Sequence, residues 1–166
     1  LNQLEHSGIP KFIDFQHVSG QSILMMERAP GINLEQLSRQ TGKLEPRLIL
    51  KIAAQMSNIL LYLRRQSESV VSSLIVHGDI KPSNIMFDPD TETVALIDWG
   101  AAVFAQCDAQ HQRIDGFGLD AINSDFGKTN AKLGDVYFIG DDQLQAELSS
   151  PRFDEQGLAG TLYALS

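Results

Sequence analysis

His77-Gly78-Asp79-Ile80-Lys81-Pro82-Ser83-Asn84 is the stretch on which the fold turns. It follows a short β-type run, Leu74-Ile75-Val76, and so sits where a loop projects side chains from a rigid scaffold. A second apolar run, Val94-Ala95-Leu96-Ile97, delivers Asp98-Trp99-Gly100. Between them the two loops offer two carboxylates, an amide and a lysine. Phosphoryl transfer from a nucleotide asks for these parts. A carboxylate orients the attacking hydroxyl, and a cation offsets charge on the moving group. An oxygen-rich pair holds Mg²⁺, which prefers hard oxygen ligands and keeps several waters.

Outward from that stretch the chain alternates apolar runs with turn signals. Ile85-Met86-Phe87 and Val94–Ile97 flank an Asp88-Pro89-Asp90 turn, which predicts a hairpin between the two loops. Upstream, Leu48, Ile49, Ile52, Ala53, Met56, Ile59, Leu60 and Leu63 recur at helical steps. Pro46 stands at the first turn, so residues 45–66 read as a helix with one broad apolar face. Asn33 is a fair N-cap for a short helix over Leu34 to Arg39, and Pro30-Gly31 breaks the chain before it. Phe12-Ile13-Asp14-Phe15 and Ile23-Leu24-Met25-Met26 predict two strands across a Ser19-Gly20-Gln21 turn. Residues 105–159 lack a strong periodic signal, apart from an apolar island at Val136-Tyr137-Phe138-Ile139.

The chain has 166 residues, 43% of them hydrophobic and 20% charged, the balance of a chain that folds around a core. That excludes a collagen-like, coiled-coil or wholly disordered chain. No apolar run approaches the roughly 18 residues of a membrane span, so no membrane contact is expected within this segment. A net charge of −8 repels a phosphate backbone, so no nucleic-acid partner is expected either. Cys107 is the single cysteine, which forbids an internal disulfide and fits a reduced, cytoplasmic setting. The chain opens on Leu1 and stops at Ser166 without start or stop signals, and reads as a piece of something longer.

His77–Asn84 resembles the catalytic loop of protein kinases, and Asp98-Trp99-Gly100 resembles their magnesium motif with Trp in the middle place. Leu4–Pro10 is similar to the stretch between helix C and the fourth strand, and Met25–Gly31 to the hinge. Gly160-Thr161-Leu162-Tyr163 resembles the run that ends the activation segment. The resemblance implies an α+β, protein-kinase-like fold present in part. Residues 1–27 would end the N-lobe, 28–32 form the hinge, and 33–166 belong to the C-lobe, with an insert at about 105–156. It implies ATP and Mg²⁺ as cofactors and a protein substrate. Asp79 would act as the base toward the substrate hydroxyl, and Lys81 would steady the γ-phosphate. Asn84 and Asp98 would hold the metal. Met26 would be the gatekeeper beside the adenine, which meets the backbone of Glu27 and Ala29. Gly100 would give backbone freedom after the metal ligand, and Thr161 would hydrogen-bond the catalytic loop near the acceptor. Lys81, two residues after the catalytic Asp, is the habit of the serine/threonine type, so transfer to a protein Ser or Thr is the leading expectation.

Departures shape the alternatives. Gly78 stands where many members carry Arg, a bacterial-looking feature that implies activity without a phosphate on the activation segment. His77-Gly78-Asp79 and Ile97-Asp98-Trp99 are also typical of small-molecule kinases resembling aminoglycoside or choline phosphotransferases. A pseudokinase scaffold is the third reading. The segment shows no Gly-rich loop, strand lysine or helix-C glutamate, so by itself it is expected to be inactive. Val136–Ile139 is expected either to dock the insert against the substrate cleft or to anchor a solvated excursion. Asp125-Phe126-Gly127 spells the magnesium motif literally, but no apolar strand precedes it.

Overall fold

The computed structural model describes residues 4–65, 74–107, 137–138 and 149–166. The chain begins with strand β1 (Phe12–Val18) and strand β2 (Gln21–Met26), an antiparallel hairpin. Ser19 and Gly20 both take positive φ, the backbone a tight two-residue hairpin requires. Among the described residues the hairpin pairs with no third strand, and Ile13 and Phe15 are 60% and 56% exposed.

Gly31 follows the hairpin at φ +83, and a Cβ there would lie 2.0 Å from the Phe87 carbonyl oxygen. Only glycine lets the chain pass that closely. Strand β3 (Ile32–Asn33) then enters helix α1 (Leu34–Thr41), whose first turn is capped as expected, Asn33 Oδ1 accepting from Gln36 N at 2.8 Å. Helix α2 (Pro46–Arg65) runs along the core and buries Ile52, Met56, Ile59, Leu60 and Leu63. Strand β4 (Ile75–Val76) leads to the loop at His77. After a 3₁₀ turn at Pro82–Asn84, strands β5 (Ile85–Asp88) and β6 (Thr93–Leu96) form the expected hairpin. With β3 they make a three-stranded sheet in the order β3-β5-β6. A second 3₁₀ turn at Trp99–Ala101 follows Asp98, and strand β7 (Val103–Phe104) pairs with β4.

Helix α3 (Arg152–Leu165) closes the fold against α2. Residues 160–165, read above as similar to the run that ends the activation segment, are helical. Arg152 to Gln156, assigned to the insert at 105–156, form the first turn of the same helix. The physical reason is burial: Leu158 and Leu165, seven residues apart on one face, reach the main core, and Phe153 packs on another side with Val76 and Ala105. Asp125-Phe126-Gly127 and most of the 105–156 stretch lie outside the described residues.

The main core cluster joins α1, α2, the sheet and α3 through Leu34, Met56, Ile85, Leu96 and Leu165, and a smaller one gathers Val76, Ala105 and Phe153. Polar ties fix α2 to the β5–β6 turn. Gln55 accepts from Val94 N at 3.1 Å and donates to the Glu92 carbonyl at 2.9 Å, and Lys51 pairs with Glu92. Among the described residues no helix is long and apolar enough to cross a membrane.

Candidate active site

Two short strands of different sheets, β4 and β6, release the loops that carry Asp79 and Asp98. His77 joins them. Its Nε2 lies 3.0 Å from the Ile97 carbonyl, which can only accept, so Nε2 carries the proton. Its Nδ1 then accepts from Asp79 N at 3.3 Å. The ring is fully buried, and burial lowers its pKa to about 4, despite the Ile97 carbonyl and the charges of Asp79 and Asp98, which pull the other way. The imidazole is therefore a neutral brace between the two loops. Trp99 packs on it edge-on at 4.8 Å between ring centres and anchors its own Nε1 to the Leu96 carbonyl at 3.2 Å.

On the Asp79 side the expected residues come together. Lys81 Nζ lies 2.9 Å from Asp79 Oδ2. Asn84 Nδ2 donates to both the Asp79 carbonyl and Asp79 Oδ2, each at 2.9 Å. Asn84 is buried, and its amide nitrogen is committed to Asp79, which turns its side-chain oxygen away from that residue. Asp98 takes the left-handed conformation, φ 62 and ψ 71, and Ile97 N donates to the Asn84 carbonyl at 2.9 Å. That backbone bond registers the two loops directly.

Gly100 differs from expectation. Its φ is not positive, and Asp98 takes the unusual backbone instead. A Cβ there would stand 3.4 Å from Asp98 Oδ1, an ordinary contact distance. Thr161 also differs. It lies inside α3, fully buried, and its Oγ1 meets no hydrogen-bond partner among the described residues, so it makes no bond to the catalytic loop there. The helix that carries it, not the hydroxyl, is what supports the loop.

That support comes through Asp154, which the sequence reading missed. Its Oδ2 accepts from His77 N and its Oδ1 from Gly78 N, both at 2.8 Å. Burial pushes its pKa up to about 6, opposed by those two N–H groups and by the Arg64 charge. Arg64 of α2 also pairs with the neighbouring Glu155. One turn on, Gly157 lets α3 reach the loop, since a Cβ there would lie 2.9 Å from the Ile80 carbonyl oxygen. The signal that would have found Asp154 is Pro151 just before a first turn carrying Asp154-Glu155, with Leu158, Leu162 and Leu165 recurring behind it.

A second tie closes the chain beyond β7. Ala105 N donates to the Leu74 carbonyl at 2.7 Å. Gln106 N and Cys107 N donate to the Ser149 carbonyl, and Ser149 Oγ donates to the Phe104 carbonyl at 2.9 Å. Cys107 is buried in this knot, with its Sγ 3.3 Å from the Ser149 carbonyl, the place of a packed thiol.

At the hinge, Met26 ends β2 half-buried against the core. Glu27 N donates to the Lys11 carbonyl at 2.8 Å, which completes the hairpin. Ala29 is buried beside it.

The protein kinase domain profile matches residues 1–130. A serine/threonine-protein kinase of Caenorhabditis briggsae, dkf-2, is 32% identical over 105 residues, 61% of this chain and 8% of that protein. PrkC of Bacillus subtilis, another serine/threonine-protein kinase, is 23% identical over 164 residues, 99% of this chain and 22% of that protein. The structure of the Cydia pomonella granulovirus kinase PK-1 superposes with a TM-score of 0.66 at 17% identity, over 96% of this chain and 49% of the viral chain. The chain thus spans about half of that structure and less than a quarter of these two curated relatives.

Proposed function

The chain belongs to the protein kinase domain family, and from that premise we propose that it forms the transfer centre of an ATP-dependent kinase acting on Ser or Thr hydroxyls of proteins. The observation that carries this reading is the cluster of Asp79, Lys81 and Asn84 on one braced loop. Asp79 receives the hydroxyl proton or orients its donor. Lys81, already beside that carboxylate, offsets negative charge on the moving phosphoryl group. Asn84 fixes Asp79 through two hydrogen bonds and so limits its motion during attack.

The donor set fits Mg²⁺. Asp98 contributes a carboxylate and Asn84 a side-chain carbonyl, both hard oxygens. Among the described residues no cluster of three or more His, Cys, Asp or Glu competes as a metal site. A two-ligand protein site suits an ion that completes its shell with phosphate oxygens and water. When bound it neutralises charge on the phosphates. We assign the adenine edge to the carbonyl of Glu27 and the N–H of Ala29, with Met26 behind, because the Glu27 N–H is already given to Lys11.

The test is transfer of label from γ-labelled ATP with Mg²⁺ by the full-length protein. Mixed protein acceptors and an aminoglycoside and choline panel would be offered side by side. Label on protein that vanishes in the Asp79→Ala variant is the expected result. Label confined to the small molecules, or none with ATP still bound, would overturn it.

Gly78 adds a regulatory expectation. Its φ is +80, and a Cβ would lie 3.1 Å from the Ala101 carbonyl oxygen, so this backbone disfavours any side chain. No Arg stands here to pair with a phosphate downstream. Phosphatase treatment of the full-length protein is therefore expected to leave transfer unchanged. A large activity loss traced to phosphates between residues 101 and 161 would show the opposite.

A further inference from the structure

Asp98 follows the end of β6, and the residues just before it are held by the loops already described. Ile97 N donates to the Asn84 carbonyl, the Ile97 carbonyl faces His77 Nε2, and the Leu96 carbonyl accepts from Trp99 Nε1. One contact comes from elsewhere: Leu96 N donates to the Gly8 carbonyl at 2.8 Å. The turn ahead of β1 thus reaches the strand end that carries Asp98. That turn closes on His6. Ile9 N, in the same peptide plane as the Gly8 carbonyl, donates to the His6 carbonyl at 2.9 Å. Gly8 N donates to His6 Nδ1 at 2.9 Å. A ring nitrogen that accepts carries no proton, so the imidazole is neutral with its proton on Nε2. The ring leans on Tyr62 of α2, 5.0 Å between ring centres, and the Tyr62 hydroxyl accepts from Glu5 N at 2.6 Å. The fit on α2 is close, since a Cβ at Gly8 would lie 2.6 Å from Ile59 Cδ1. Two cavities of about 460 and 450 Å³ meet at His6, Ser7 and Pro30, so water reaches the ring. Glu5, Glu27, Lys11 and Arg28 line the first, acids matched by bases. Asp88 lines the second, its carboxylate taken by Asp90 N and Thr91 Oγ1. Burial lowers the His6 pKa from 6.5, so the ring is neutral at pH 7 and gains its proton only in acid. A proton on Nδ1 would point at the Gly8 N–H, donor against donor.

We infer that His6 is a positioning residue for Asp98: its neutral ring holds the Gly8 carbonyl on Leu96 N, and protonation of Nδ1 releases the strand end that carries the metal ligand. The inference rests on the reading of Asp98 as a magnesium ligand. Nδ1 takes a proton from water and gives up the Gly8 N–H. The turn opens, the Gly8 carbonyl moves with it, and Leu96 N loses its partner two residues before Asp98. The loop that carries Asp79 is braced separately, through His77 and Asp154. The loss therefore falls on the use of Mg²⁺ and spares the base. Transfer becomes self-limiting in acid through a residue that touches neither nucleotide nor acceptor.

The experiment uses the full-length protein and two variants. His6→Asn keeps an acceptor oxygen near the place of Nδ1 without a group that titrates. His6→Phe keeps a ring against Tyr62 without an acceptor. The Mg²⁺ dependence of transfer and amide hydrogen exchange at Leu96 are read from about pH 7.5 to about pH 5.5. Asp154 and the nucleotide titrate alike in all three proteins, so the differences between proteins carry the result. At the acid end the parent is expected to need about fivefold more Mg²⁺ than His6→Asn and to exchange Leu96 about fivefold faster, the worth of one backbone hydrogen bond. His6→Phe should show both changes already at the neutral end, with no further divergence from His6→Asn on acidification. A parent and His6→Asn that coincide across the range would overturn the inference. So would a His6→Phe variant with lowered Tm but the Mg²⁺ dependence of the parent, the mark of a purely structural ring. If His6→Phe fails to fold, the comparison of the parent with His6→Asn decides alone. Leu96 exchange that follows His6 without transfer to any acceptor would keep the positioning role and overturn the transfer reading. Transfer with Leu96 exchange indifferent to His6 would do the reverse.

Discussion

Asp154→Asn is expected to cut phosphoryl transfer by about a hundredfold or more, although residue 154 touches neither nucleotide nor acceptor. The carboxylate accepts from two successive backbone N–H groups, one through each oxygen. An amide keeps one acceptor and presents an NH₂ to the other N–H, so one buried donor loses its partner at about 1–3 kcal/mol. The loop must shift to relieve the clash, and it carries Asp79 two residues on. A displacement near 1 Å at a reacting group is worth roughly a hundredfold in rate. Transfer kinetics on the full-length protein, with circular dichroism to confirm folding, check this. Unchanged kcat in the folded variant would remove Asp154 from the positioning role.

The same variant changes the response of stability to pH, and the sign follows from two opposed groups. His77 has its pKa lowered from 6.5 to about 4, so its contribution is present above pH 6.5 and lost as pH falls through 4. Asp154 has its pKa raised from 3.8 to about 6, so its contribution is present below pH 3.8 and lost as pH rises through 6. Between about 4 and 6 the two slopes cancel. Asp154→Asn removes one of them, and the variant should lose about 1.4 kcal/mol for each pH unit of acidification across that window. Urea midpoints from pH 4 to 7 measure it. Parallel curves for the variant and the parent would contradict the assignment.

Gly31→Ala should have the largest effect on folding. At φ +83 a Cβ alone costs about 1 kcal/mol or more. At 2.0 Å from the Phe87 carbonyl oxygen it also cannot be accommodated, so the hinge and β5 must separate. The β3–β5 pairs Ile32↔Phe87 and Asn33↔Met86 lie next to this point, and Asn33 caps α1. A total near 3 kcal/mol is expected, lowering Tm by about 6–12 °C in a chain of this size. Thermal unfolding of the variant beside Gly42→Ala is the measurement. Gly42 shares the positive φ but has open space around it, so it isolates the backbone share from the collision. Equal losses at the two glycines would show that the close approach contributes nothing.

Much of this architecture was legible because local signals and tertiary demands agree. Helix α2 declared itself through eight apolar residues at helical spacing, and Asn33 caps α1 as its side chain suggests. Asp79, Lys81 and Asn84 converge as their spacing implied. Helix α3 was missed because its tertiary contacts require residues that weaken helical character. Gly157 is there to meet the Ile80 carbonyl. Gly157, Gly160 and Thr161 together diluted the apolar pattern. Asp154 was hidden with that helix: its partners are backbone N–H groups 76 and 77 residues away, and only the helix-start signal at Pro151 marks its place. Gly100 was expected to take the unusual backbone, which Asp98 takes instead at φ 62.

Handled alone, the chain carries its own association hazard in the β1–β2 hairpin. Ile13, Phe15, Val18 and Ile23 face solvent, and among the described residues both outer edges of the ribbon keep unpaired backbone groups. Such an edge is a template for a second copy of itself. At neutral pH the net charge of −8 keeps copies apart. Near the isoelectric point of about 4.8 that repulsion vanishes while the apolar ribbon stays in place. Colloidal stability of the isolated segment is thus governed by surface charge and one uncovered ribbon, and a lysine at Ile13 or Phe15 would improve it at no cost to the loops that carry Asp79 and Asp98.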